Sequence, residues 1–484
     1  MSAIFQLILS LSEEERLGFL AFAKAKNKRT DVKNIQLFEL ILKGHRTELD
    51  QKLYGTPNKN ALHALTKRLQ DSIVDFIAVH HFKGEQQEEM ELLKLLLASR
   101  ILLERKLHKI GWKQLENARD RATQLELYAL LNEIYHTQLQ YVHVVEKPLE
   151  ALINSYEENQ KLYAQEMKLA TVYARIKQHI NTTKNVLELI EKELAVHDIQ
   201  LDQRLSYKSI YQLMNITAQA AHITLNYYAV YDFMDRANEI LAVKQHLASR
   251  HSYYHIEILF MMANVYLRNK RFSKAQKTLD ELKDYEFGAV DQKRYVLIQS
   301  LVYNFTEHNN QAIDIVAPIK KLTPQLALAQ ATFLFHKKQF KEAAMVLRDM
   351  HHSDLWLEKN LGFNYIIKLK ITQILIHIER DQLDLVHSRL RSFLKKYRKE
   401  LLSRGEHRVL TYISFLQAID NDPKIATTEK FAQKVEQSFT WIGVEREDLF
   451  VMSFYAWLKA RMEGCDTYEV TLELVQSGSS SSMD

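Results

Sequence analysis

Between Gly111 and Gly288 the chain contains no glycine, and its 484 residues hold only 11 glycines and 5 prolines. Average usage is roughly 7 % and 5 %. Glycine supplies the positive φ of most tight turns and proline fixes φ, so many hairpin-linked strands cannot be built from this chain. Long helices joined by short polar links tolerate the shortage. No two glycines are close neighbours, which leaves neither a Gly-x-x-x-x-Gly-Lys loop nor a three-glycine dinucleotide turn. Hydrophobic residues make up 46 % and charged residues 26 %, the balance of a globular chain rather than a disordered one or a membrane protein.

A single cysteine, Cys465, excludes a disulfide framework and a cysteine-based zinc site. The opening MSAIFQLILSLSEEER lacks a basic start and runs into three glutamates, so it reads as a first helix and not a signal peptide. No stretch approaches the ~18 uninterrupted apolar residues of a membrane span, and the expected location is cytoplasmic. The formal net charge is +5, and residues 1–84 carry most of it, with 13 Lys+Arg against 9 Asp+Glu. A local basic excess suits an acidic partner or nucleic acid.

Capping signals place several helix starts. Ser12 to Glu15 forms a capping box, and Thr323-Pro324 and Asp422-Pro423 each put a capping side chain before a proline. Pro148 is expected to open a helix and Pro318, near the end of one, to bend or stop it. Residues 60–80 carry Leu62, Leu65, Leu69, Ile73 and Phe76 on one helical stripe. Gly84 and the acidic run after it mark a domain boundary. Tyr468 to Val475 alternates weakly, as a short extended piece would, and the serine-rich end reads as a flexible tail.

The strongest pattern is a repeat. In LFMMANVYLRNKRFSKAQKTLDEL, Ala263 and Tyr266 lie on a first helix, Phe272 at the turn, and Ala275 and Leu279 on a second helix. Ala331, Leu334, Phe340, Ala343 and Leu347 repeat the series, and degraded copies centre on Ala237, Ala312 and Val386. This resembles the tetratricopeptide repeat, a helix–turn–helix of about 34 residues, over residues 205–400. Lys270 and Lys338 stand where that family usually has its turn glycine. The resemblance implies an all-α, right-handed superhelical array of helix pairs with an N-terminal helical domain. The expected divisions are 1–84, a diverged helical region 85–204, the repeats 205–400, C-terminal helices 401–470 and a flexible tail 471–484.

The resemblance also implies a concave groove, lined by the first helices, that receives a protein or peptide. Its residues here would be His222, Asn226, Phe260, Asn264, Arg268, Asn304, Thr332 and His336, and Phe260 with the neighbouring Leu297, Leu301, Leu328 and Leu375 suits an apolar partner surface. Asn226 and Asn264 match the asparagines of the family's carboxylate clamp, whereas His222 and Phe260 replace its lysine position.

No catalytic constellation is visible. His251 and His255 could share a helix face and hold a metal, but Glu257 falls off that face and twenty histidines make such a pair ordinary. Cys465 has no neighbour that favours a thiolate. The expectation is therefore a non-enzymatic interaction scaffold, without cofactor, metal or membrane. The alternative is a regulator whose N-terminal domain binds DNA through His63, Lys67 and Arg68. Asp71 and Asp75 on the same helix would repel phosphates, and a plain helical cap for the array is the simpler reading.

Overall fold

The stripe from Leu62 to Phe76 is buried along its whole length, and amphipathic stripes of this kind shape both units of the chain. In the computed structural model the described residues are all except Met1, Ser12, 27–32, Arg46, 81–86, 180–185, Leu225, Phe287, 439–446 and 481–484. The Ser12 capping box therefore lies outside them. Among the described residues there are twenty-five α-helices, two short 3-10 helices and no strand. No described helix is long and apolar enough to cross a membrane.

Residues 1–98 form one unit and 99–484 a second. The first contains α1 (Ser2–Ser10), α2 (Glu13–Lys26), α3 (Lys33–Leu42), α4 (Leu49–Tyr54) and α5 (Lys59–His80). Its core gathers Ile8, Phe19, Phe38, Leu69 and Ile73, with the Phe19 ring 4.8 Å from Phe38 and 5.7 Å from Phe76. The division falls inside α6 (Gln87–Glu104), later than the boundary expected at Gly84.

The second unit is a succession of helix pairs: α7 (His108–Gln124) and α8 (Tyr128–Val145), α9 (Leu149–His179) and α10 (Val186–Val196), α11 (Tyr207–Thr224) and α12 (Tyr227–Val243). Then come α13 (Ser252–Arg268) and α14 (Phe272–Leu282), α15 (Ala289–Phe305) and α16 (Asn309–Val316), α17 (Pro324–His336) and α18 (Phe340–Arg348). After α19 (Asp354–Leu361) follow α20 (Phe363–Glu379), α21 (Leu383–Ser403), α22 (His407–Asn421), α23 (Glu429–Ser438), α24 (Leu449–Glu463) and α25 (Thr467–Ser480). Neighbours in sequence pack on each other, and the first helices α11, α13, α15, α17 and α20 also pack in series. Ala237, Ala263, Ala275, Ala312, Ala331 and Ala343 are fully buried in these contacts, since a small side chain lets two helix backbones approach. The segment expected to be extended, 468–475, is helical, and α25 runs on through most of the expected tail.

Thr323 caps α17 by accepting from the Leu326 amide, and Asp422 caps a 3-10 turn, Pro423–Thr427. Helix α16 ends at Val316, before Pro318, and α9 begins just after Pro148.

The turns explain the missing glycines. Lys106, Glu126, Glu146, Asp198, Lys270, Glu307, Lys338 and Asp381 all adopt left-handed backbone, with φ between 51° and 68°. At the α13–α14 turn the Lys270 amide donates to Leu267 O and the Arg271 amide to Tyr266 O, and Lys338 and Gln339 repeat both bonds. This is the Schellman ending that usually selects glycine. A side chain there costs about 1 kcal/mol of backbone strain, so each such residue is held against a local preference.

Candidate binding face

Several of these strained residues use their side chains on the C-terminal hairpin. Lys270 is buried and its Nζ donates to the Glu447 carbonyl, at 2.8 Å, just before α24. Lys338 pairs with Asp466, ahead of α25, at 2.8 Å. Glu307 Oε1 accepts from Gln476 of α25, also at 2.8 Å. Three turns in the repeat region thus grip one hairpin. Glu126 works similarly elsewhere, accepting from the Tyr207 amide and pairing with Lys244.

The hairpin α24–α25 lies against the first helices, on the face where a groove was expected. Asp448 caps α24 through the Phe450 amide at 3.0 Å. The same carboxylate meets Lys368 of α20 at 2.8 Å and Arg268 of α13 at 3.2 Å. Burial opposes the Asp448 charge, but the two cations hold its carboxyl well below the usual range. Burial pushes the Lys368 ammonium down, and Asp448 opposes that shift. Glu447 is buried and ion-paired to Arg408 of α22.

Further along, Trp457 Nε1 donates to Glu379 Oε1 at 2.8 Å and Arg461 joins the same oxygen at 2.9 Å. The Tyr412 hydroxyl donates to Phe454 O. On α25 the Tyr468 hydroxyl donates to Asn304 O at 2.7 Å, and its ring lies 5.2 Å from that of His336. Leu449, Phe450, Met452, Phe454, Trp457 and Leu458 are all buried. Val451, Tyr455 and Lys459, on the remaining stripe of α24, are only partly buried, so the helix packs its apolar faces inward and keeps one side toward solvent.

The expected groove residues divide accordingly. Phe260, Asn304, Thr332 and His336 are buried. Arg294 covers the Phe260 ring at 4.4 Å, and Thr332 donates back to Leu328 O within its own helix. His336 Nδ1 bonds Asn304 Oδ1 at 3.2 Å, and burial pushes its pKa down to about 4. Arg268 and Asn264 are half-buried, and Arg268 is committed to Asp448. Asn226 is not on a first helix: it caps α12 by accepting from the Ala229 amide. His222 is exposed along part of its side chain, while its Nδ1 lies in a part-buried contact 3.1 Å from the Tyr227 hydroxyl. Burial, Arg268 and Lys368 all lower its pKa.

The other candidates separate. His63, Lys67 and Arg68 are exposed on α5 in the first unit, with exposed Asp71 one turn further along. His251 precedes α13 and its ring stacks on Tyr207 at 5.2 Å, while His255 bonds the Tyr207 hydroxyl at 2.8 Å. Glu257 is paired with Arg294 at 2.6 Å. No group of three or more metal-ligating side chains occurs among the described residues. Cys465 is exposed in the α24–α25 turn.

Sequence reasoning missed Asp448, Lys368, Glu379, Trp457 and Tyr468, because pairs 78 to 164 residues apart leave no periodic trace. The visible signal was the lysines at turn-glycine positions, together with a run, Leu449–Leu458, that is apolar except for Ser453. The fold defines an all-α class of packed helix pairs. Neither family models, curated proteins nor solved structures match the chain.

Proposed function

We propose that the protein is a non-enzymatic interaction scaffold of the tetratricopeptide-like, right-handed superhelical type. Its first-helix face is a helix-receiving groove, and α24–α25 is its resident occupant. The observation that supports this reading is the Asp448 clamp: an acidic helix cap seated between Arg268 and Lys368 from helices distant in sequence. A partner would present the same chemistry, an apolar helix headed by a carboxylate, and would enter as the hairpin leaves. No Gly-rich phosphate loop competes with this reading.

Asp448→Arg tests it by setting three cations against one another and opening the hairpin, which hydrogen exchange of 449–463 reads directly. The opened chain is expected to gain a protein partner whose cross-links fall on α13, α17 and α20. A peptide spanning 447–480 should displace that partner. An opened hairpin with no partner gained on those helices would refute the proposal.

A further inference from the structure

A second recess lies away from that face, where α18, α20 and α21 meet. It encloses about 380 Å³, within the range of small-molecule sites. Lys341 and Arg348 of α18, Arg380 at the end of α20 and Arg389 of α21 converge on it, and no carboxylate lines it. Arg348 has a neighbour in Asp349 at 3.6 Å. Lys341, Arg380 and Arg389 form no ion pair among the described residues.

Helix dipoles account for only part of this cluster. Arg348 and Arg380 sit at helix C-termini, where a cation is favoured, but Lys341 lies in the first turn of α18, against the dipole. Four cations around one recess repel each other unless an anion enters. Arginine forks match phosphate oxygens two at a time, and lysine adds a point charge. Leu347 and Ile376 form a buried apolar floor, with Ala344 and Met345 beside them. His377 bonds Gln382 Oε1 at 2.8 Å through Nδ1, which fixes its ring on the wall.

We propose that this recess binds a small organic polyphosphate of the nucleoside di- or triphosphate class. The phosphates lie among Lys341, Arg380 and Arg389, and the apolar part of the ligand rests over Leu347 and Ile376. The missing Gly-rich loop excludes backbone cradling of phosphates, not recognition by side-chain forks. The recess binds rather than hydrolyses, as no nucleophile or base lines it apart from His377, which is engaged with Gln382.

The test is calorimetric titration of the full chain with ATP, pyrophosphate and a phosphoserine peptide, at low and at physiological salt. ATP is expected to bind more tightly than pyrophosphate, because only ATP covers the apolar floor. Raising the salt should weaken both. The pair Arg380→Glu and Arg389→Glu should weaken ATP binding by at least about ten-fold, the effect of losing about 1.4 kcal/mol. Both residues reach solvent, so the unliganded double variant should melt at the parent temperature or above it. The site is refuted if millimolar ATP gives no heat, or if the double variant binds ATP as the parent does. Binding of the phosphopeptide with no competition from ATP would overturn the small-molecule assignment.

Discussion

Replacing Asp448 by Asn removes one negative charge and leaves the shape of the side chain intact. Asp448 and Lys368 each expose only 15 % of their side chains, and Arg268 exposes 22 %. Removing one partner of a buried ion pair costs about 3–5 kcal/mol, because the other charge stays buried. Asparagine keeps an oxygen for Lys368 and for the Phe450 amide, and Arg268 still has the Tyr227 ring at 5.7 Å. The lower end, about 3 kcal/mol, is therefore expected. At about 1.4 kcal/mol per decade, amide exchange within 449–463 should speed up roughly 100-fold. Lys368→Met removes the orphaned ammonium, so the double variant should recover part of the loss, with a coupling of at least about 1 kcal/mol. A change of less than about ten-fold in exchange, or strict additivity of the two substitutions, would mean that water already solvates the clamp.

Five further outcomes follow from the same structure. His336 has a folded pKa of about 4 against an ordinary value near 6.5, so the folded state binds fewer protons between these values. Its contribution is complete above about pH 6.5 and falls by up to about 3 kcal/mol as the pH drops to 4; subtracting the profile of His336→Gln from that of the parent should isolate this slope. Lys106→Gly, at an exposed left-handed turn, should raise the melting temperature through about 0.5–1 kcal/mol of relieved strain. Lys270→Gly relieves the same strain but loses the buried bond to Glu447, and should destabilise by about 1–2 kcal/mol. Gly111→Ala would place a methyl 2.9 Å from Leu103 Cγ and 3.1 Å from Ser99 O, and should lower stability by about 1–3 kcal/mol. The full chain should show no gel shift with duplex DNA at physiological salt, because exposed Asp71 continues the Lys67 stripe.

Much of the second unit was legible because its contacts are local. An alanine and an aromatic three residues apart, followed by a second alanine after the turn, encode two helices that touch at once, and Ala263 and Ala275 are fully buried as that pattern requires. Helix starts at Thr323 and Asp422 were readable for the same reason, as a cap and its target amide lie within three residues. What lies over the groove residues was not legible, because a distant segment supplies it. His336 and Asn304 fit the inner face of a repeat, but Tyr468 reaches Asn304 O from 164 residues away and covers both.

The sequence by itself determined that this chain is helical, that its helices come in pairs, and that neither a glycine-rich phosphate loop nor a cysteine framework exists. Periodicity, small residues and turn positions are short-range physics, and they sufficed. Only the tertiary structure decided what the inner face holds. A left-handed lysine looks like a lost glycine until its ammonium is seen on the Glu447 carbonyl. Its strain is local and its compensation is 177 residues away. That separation is why the scarcity of glycine, read along the chain, registered only as drift from a pattern, whereas three of those turns hold the C-terminal hairpin in place.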